Sequence, residues 1–232
     1  PRSQVGLIQA AYVVCAFDRS INGCYGPDRH IEFYDSMISL AESDPAFGLI
    51  IKHKGVSPKV FLLCPKLARR ANALVEQGRL ALIGGTRTVG EAARMSDLVV
   101  GMGWNSAAFV AALQGSRTVF WDGADLLGGP AADRVREFNW HDPQIVFTDL
   151  ERMIEAVGMY LRSPGAVPGF GDLSRVLDRI DPFRDGQATA RLGLFIRWFI
   201  EAIDAGMPRD VALRRATERY AEEWGADKVS RR

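Results

Sequence analysis

A doubly wound α/β sheet is the fold class this sequence predicts. Three observations carry the prediction. Short apolar runs of strand length recur over most of the chain, helical stretches separate them, and each run ends in glycines or polar turn formers. Strands that alternate with helices pair in parallel through right-handed crossovers. Ligands then bind along the edge where the post-strand loops open.

The elements follow in order. Ala11 to Phe17 is an apolar run for a buried strand. Asp18 to Gly23 and Gly26-Pro27-Asp28 are turn formers. Ile31, Tyr34, Met37, Ile38 and Ala41 share one face of a helix that stops before Pro45. Phe47 to Ile51 is a second strand, ending in Lys52-His53-Lys54-Gly55. One helical stretch runs from Lys59 to Gln77 and closes at Gly78, and Leu80 to Ile83 is a third strand before Gly84-Gly85. Thr88 opens a brief helix, with Glu91 at capping-box spacing. Leu98 to Gly101 is a strand, Asn105 starts a helix that stops at Gly115, and Thr118 to Trp121 is the next strand. Ile145 to Thr148 is a last strand before a helix from Asp149 to Arg162. The Pro- and Gly-containing stretch Ser163 to Gly171 reads as a linker. Beyond it, Leu192, Phe195, Ile196, Phe199, Ile200 and Ile203 form a helical stripe, and Pro208 opens a second helix carrying Val211, Leu213, Ala216 and Tyr220.

Bulk properties narrow the functional classes. The 232 residues, 47% of them hydrophobic, suit one large or two small cores. A net charge of +1 supplies no global field for nucleic acid. No apolar run reaches the roughly 18 residues of a membrane span, and the first residues lack the signature of a signal peptide. Cys15, Cys24 and Cys64 show no CxxC spacing, which predicts reduced thiols, a cytoplasmic setting and no structural zinc site. The chain starts at Pro1 without a Met, so a piece of a longer protein is expected.

The chemistry-bearing residues sit in the post-strand loops. Gly101-Met102-Gly103-Trp104-Asn105-Ser106 delivers small and hydroxyl-bearing residues to a helix start. Free N–H groups and the positive end of the helix dipole suit an anion there. The pattern is G-x-G-x-x-S, but it follows the fourth strand and has no acidic residue at dinucleotide-motif spacing, so a nicotinamide cofactor is not expected. Asn105 or Ser106 also serves as a helix cap. Lys52 and Lys54 share one side of a continuing strand and can balance a phosphate, or form a solvated strand end. Arg19 can clamp a phosphate or carboxylate. His30, at a helix start, is the candidate acid or base, with a structural role as the plainer reading. Asp122 reaches a ribose or sugar hydroxyl, or forms a turn before Gly123. In Asp181 to Arg191, Asp185 or Thr189 is expected to cap the long apolar helix, and Arg184 and Arg191 face the ligand edge if this segment folds back. There is no G-x-S-x-G elbow, no P-loop and no histidine–carboxylate set with metal-ligand spacing.

Several of these stretches resemble a known family. SDLVVGMGWNSAAFVAALQGSRTVFWD is similar to the C-terminal, donor-binding half of GT-B glycosyltransferases: a strand, a Gly-x-x-Ser turn, an apolar helix ending in Gly, and a strand ending near Asp. IIKHKG resembles their strand ending in a basic-His pair, and IDPFRDGQATARLG resembles the Asp-Gly-x-Ala-x-x-Arg stretch of bacterial surface-polysaccharide and polyol-phosphate transferases. Together these stretches span most of residues 11 to 195.

The resemblance implies a Rossmann-like donor domain over residues 1–165 and a C-terminal helical segment over 166–232 packing back on it. It implies transfer from a nucleotide-activated sugar or polyol phosphate to a glycan or lipid-linked acceptor, in the cytoplasm or at the inner face of the cell membrane. The substrate is then a CMP-, CDP- or UDP-linked donor, with no cofactor and no metal. His30 and Arg19 become the catalytic candidates. Ser20, Lys52, Lys54, Gly103, Asn105, Ser106, Asp122 and Arg184 become the donor-binding candidates. Two departures stand out. Phe109 and Val110 occupy positions where many members carry a ribose-binding glutamate, and the N-terminal acceptor domain of a complete enzyme is missing from this length. Two other functions remain open. One is a sugar-nucleotide epimerase of the same architecture, drawing on Asp18, Asp122 and His30. The other is a non-catalytic module that binds a partner through Trp198 and Trp224.

Overall fold

The computed structural model describes residues 8–17, 25–53, 59–85, 87–103, 105–124 and 144–229. It divides into two compact units, Pro1–Ser174 and Arg175–Arg232. The first unit contains β1 (Tyr12–Phe17), α1 (Pro27–Ser43), β2 (Phe47–Lys52), α2 (Lys59–Leu63), α3 (Pro65–Glu76) and β3 (Leu80–Ile83). It continues with α4 (Val89–Arg94), β4 (Leu98–Met102), α5 (Ser106–Leu113), β5 (Thr118–Trp121), β6 (Val146–Phe147) and α6 (Leu150–Arg162). A short helix α7 (Ser174–Ile180) leads into the second unit, which carries α8 (Ala188–Asp204) and α9 (Arg209–Trp224).

The strands form one parallel sheet in the order β3-β2-β1-β4-β5-β6. This is the doubly wound α/β class that the alternating pattern predicts. Both faces of such a sheet are covered, so its strands read as apolar runs. Every residue of β4 and β5 is accordingly buried. The chain builds outward in one direction from β1 to β3, then returns beside β1 with β4 and builds the other way. Asp97 anchors that return. Its carboxylate accepts the Val13 N–H at 2.8 Å, and its own N–H donates to the Val13 carbonyl at 2.7 Å. Val14 then pairs with Leu98 at the start of the β1–β4 ladder.

Local sequence explains most helix boundaries. Thr88 and Glu91 form the expected capping box: the Glu91 N–H donates to the Thr88 hydroxyl at 3.2 Å, and the Thr88 N–H donates to the Glu91 carboxylate at 2.6 Å. Gly115, at φ 89°, ends α5 with paired N–H groups returning to Ala112 and Ala111. The helix expected over Lys59 to Gln77 is two helices. Pro65 is the first residue of α3, and its ring keeps Cys64 out of helical geometry, at φ −130° and ψ 85°. The last strand shrinks from Ile145–Thr148 to Val146–Phe147.

The stretch read as a linker, Ser163 to Gly171, is a packed part of the first unit. Phe170 is buried and stacks on Tyr160 at 5.0 Å, and the Thr118 N–H donates to the Gly171 carbonyl at 2.9 Å. Glycine and proline there shape a tight path along the start of β5. The sequence pattern also passed over α7. Among the described residues no helix is long and apolar enough to cross a membrane.

Removing the Asp97 carboxylate strands the Val13 N–H inside the sheet, and an unsatisfied buried donor costs about 1–3 kcal/mol. Asp97→Ala is therefore expected to lower unfolding stability in urea by that amount, with Asp97→Asn retaining part of it. A change below measurement error contradicts the anchoring role.

Candidate functional site

The reversal of strand order beside β1 creates a switch point where neighbouring loops diverge. Ligands of doubly wound sheets bind at such points. The turn after β4 lies there, and three of its residues take distinct jobs. Gly103 adopts φ 57°, donates its N–H to the Trp121 carbonyl at 2.7 Å, and lies under the Tyr25 ring. A Cβ at Gly103 would stand 2.5 Å from that ring, so only glycine allows this approach. Asn105 is the N-cap of α5. Its side-chain oxygen accepts the Ala108 N–H at 2.8 Å, and its amide N–H groups point to the carbonyls of Met102 and Gly103 at 3.5 and 3.4 Å. Ser106 is exposed at the first helical position. The cap accounts for the third N–H of the helix and leaves the first two without intrahelical partners.

The neighbouring strand ends add charge. Lys52 ends β2 half-buried, and its ammonium donates to the carbonyls of His53 and Gly84, both at 3.1 Å. Among the described residues no carboxylate pairs with it. Two carbonyl dipoles hold the cation in place without neutralising it. Burial pushes the thiol of Cys15, in β1, well above the ordinary thiol range, and the Lys52 charge pulls it partly back. Cys15 is thus a core thiol rather than a nucleophile.

Asp122, directly after β5, is 4% exposed. Its carboxylate accepts the Tyr25 hydroxyl at 3.1 Å, and its N–H donates to the Phe147 carbonyl at 2.7 Å. Trp121 stacks flat on Phe33 at 5.9 Å, and its indole N–H has no acceptor among the described residues. Tyr25 and Trp121 escaped the sequence argument. The available signal was an aromatic residue next to the Gly26-Pro27 helix start and another at the end of a strand.

His30 is fully buried in the stripe of α1 that packs into the core with Phe33, Tyr34, Met37, Ile38 and Ala41. Its Nδ1 lies 3.0 Å from the Gly26 carbonyl. Arg19, Ser20 and Lys54 lie outside the described residues, as do Asp18 and Cys24. The structure therefore brings Lys52, Gly103, Asn105, Ser106 and Asp122 to the carboxyl edge of one sheet.

Arg184 belongs to the second unit, where it pairs with Asp178 at 2.9 Å. The expected caps of α8 are replaced by a different device: Gln187 is the N-cap, with no side-chain bond. Asp185 instead accepts the Gln187 N–H at 2.9 Å and grips Arg191 through two bonds of 2.8 and 2.9 Å. The Arg191 guanidinium, followed by the Gln187 N–H, holds the Asp185 carboxyl down to about 2. Arg191 also lies 3.7 Å over the Phe183 ring. Among the described residues no group of three or more His, Cys, Asp or Glu is arranged to hold a metal ion.

No family model matches the sequence, and no curated protein matches it significantly. Solved structures do match. A TarM variant of S. aureus, in complex with fondaparinux, alpha-GlcNAc-glycerol and UDP, aligns with a TM-score of 0.50 and 16% identity over 80% of this chain and 36% of that one. S. aureus MnaA in complex with UDP aligns with a TM-score of 0.49 and 14% identity over 82% of this chain and 46% of that one. A Listeria monocytogenes protein assigned as a UDP-N-acetylglucosamine 2-epimerase gives 0.49 and 15% over 89% and 48%. This chain spans less than half the length of each of them. The likeness to TarM is one of fold, a GT-B-like Rossmann arrangement.

Gly103→Ala combines a left-handed backbone with a clash against Tyr25. Backbone strain of this kind costs about 1–3 kcal/mol. The variant is expected to lose at least that much stability in chemical denaturation, while Gly115→Ala, with open space around its Cβ position, loses less. Equal losses would contradict the crowding at the switch point.

Proposed function

We propose that this chain is the nucleotide-sugar-binding half of an enzyme that transfers a sugar, or a polyol phosphate, from a UDP-linked or related donor to a glycan or lipid-linked acceptor, in bacterial surface-polysaccharide synthesis. The observation that carries the reading is the switch-point turn. The uncapped N–H groups at the start of α5 lie on the same sheet edge as Lys52, a cation without a carboxylate partner among the described residues. The UDP in the TarM and MnaA structures suggests the nucleotide.

The chemistry follows from where charge develops. For a sugar, the bond between the anomeric carbon and the diphosphate oxygen breaks, an acceptor hydroxyl forms a new bond to that carbon, and a nucleoside diphosphate departs. For a polyol phosphate, the acceptor hydroxyl bonds to the distal phosphorus, the pyrophosphate P–O bond breaks, and a nucleoside monophosphate departs. In both, negative charge grows on the departing nucleotide phosphate. Pre-oriented N–H dipoles and a fixed ammonium stabilise such charge without reorganising. Proton removal from the acceptor falls to a group outside the described residues, because His30 is buried against Gly26 and Asp122 is buried under Tyr25.

The epimerase reading draws on Asp18, which lies outside the described residues, and on His30 and Asp122, which are both engaged in the core. Of the two anchors of the partner-binding reading, Trp198 is 9% exposed and stacks at 5.5 Å on the half-buried Trp224 within the second unit. The proposed setting is the cytoplasm, with an acceptor-binding domain elsewhere in a longer protein and peripheral contact with the membrane through the acceptor.

Thermal unfolding in CMP, CDP, UDP and GDP tests the proposal. A nucleotide at 100 times its dissociation constant adds about 2.7 kcal/mol. UDP is expected to stabilise most. Lys52→Ala is expected to weaken UDP about tenfold or more, the loss of one bond to a charged group. No stabilisation by any of the nucleotides contradicts the proposal. Isomerised UDP-sugar without released UDP would move it to the epimerase reading.

A further inference from the structure

The second unit contains a cavity of about 150 Å³ that the nucleotide reading does not use. Its walls include Trp198 on α8, Met207 in the turn and Ala216 on α9. Three charged residues also line it: Glu201 on α8, and Arg215 and Arg219 one turn apart on α9. All of these residues belong to one compact unit.

Some arginines of that unit are held by aspartates, while Arg175, Arg197 and Arg209, like the two at the cavity, have no carboxylate partner among the described residues. Arg184, Arg191 and Arg214 each pair with an aspartate, at 2.9, 2.8 and 3.2 Å. Arg215 and Arg219 have no carboxylate partner among the described residues. Arg215 reaches only the Met207 sulfur, at 3.8 Å, and Arg219 lies over the Trp198 ring at 4.5 Å. A thioether is a weak acceptor, and a ring face leaves the in-plane N–H groups unused. Like charges one helical turn apart also repel. Glu201 lines the same cavity yet forms no ion pair with either arginine, so it remains an acceptor.

We infer that this cavity binds a small hydroxylated phosphomonoester. The phosphoryl oxygens take the Arg215 and Arg219 guanidiniums, whose fork geometry suits them. A hydroxyl of the ligand donates to Glu201, and its short carbon skeleton lies against Trp198 and Ala216. The cavity is open to solvent, with Glu201, Arg215 and Arg219 exposed, and its volume of about 150 Å³ matches a group of roughly benzene size. The inference rests on the second unit and stands or falls separately from the nucleotide reading.

Calorimetric titration of the full chain with glycerol 3-phosphate, inorganic phosphate and glycerol tests it. Saturable binding of glycerol 3-phosphate is expected, weaker binding of phosphate, and none of glycerol. Arg215→Met and Arg219→Met should each weaken glycerol 3-phosphate about tenfold or more, as the loss of a charged hydrogen bond does. Glu201→Gln should weaken glycerol 3-phosphate and leave phosphate unchanged. Saturating UDP should not displace the ligand. Far-UV circular dichroism of each variant, with Arg215→Lys as a charge-keeping partner, separates lost binding from lost folding. The inference is overturned if glycerol 3-phosphate does not bind, if folded arginine variants bind it unchanged, if phosphate alone binds as tightly, or if UDP displaces it.

Discussion

The placement of β4 against β1 is the constraint on which the carboxyl edge depends. Had β4 extended the sheet beyond β3, each loop would lie beside its sequence neighbour and no crevice would open between them. The return instead sets the β4 turn beside the end of the first strand, with the β5 end across from it. Asp97 ties this return to β1 through both its carboxylate and its N–H, alongside the apolar packing of a fully buried β4.

Crowding follows from that placement. Gly101 and Gly103 let α5 and the Tyr25 ring close on the end of β4: a Cβ on Gly101 would meet the Asn105 amide at 2.9 Å and the Phe120 ring at 3.0 Å. The polar groups in this space are mostly committed to one another, Tyr25 to Asp122 and Asn105 to the helix end. Among the described residues, what remains for a ligand is the exposed Ser106, backbone N–H groups at a helix start and one ammonium held by carbonyls. That set suits binding and charge stabilisation more than proton transfer, and it is why the proposed role is to hold a leaving group.

Much of this was legible in the sequence because the signals were local. Buried parallel strands announce themselves as apolar runs, Thr88 and Glu91 as a capping box, and Asn105 and Gly115 as the two ends of α5. The misses have a common cause. His30 reads as a polar residue at a helix start, but the Gly26 carbonyl one turn back accommodates its ring nitrogen and lets it join the core stripe. Asp185 reads as a cap, but Arg191, six residues on, claims both carboxylate oxygens. The Tyr25 ring over Gly103 and the Gly84 carbonyl at Lys52 depend on chain segments far apart in sequence, and no periodicity reports them.

The most direct measurement follows backbone amide signals by NMR during a UDP titration. Saturable shifts concentrated at Gly103, Ser106, Ala107 and Lys52, with the amides of α8 and α9 unmoved, are the predicted result. Shifts confined to the second unit, or none at any residue of the β4 turn, would contradict a nucleotide site at the switch point.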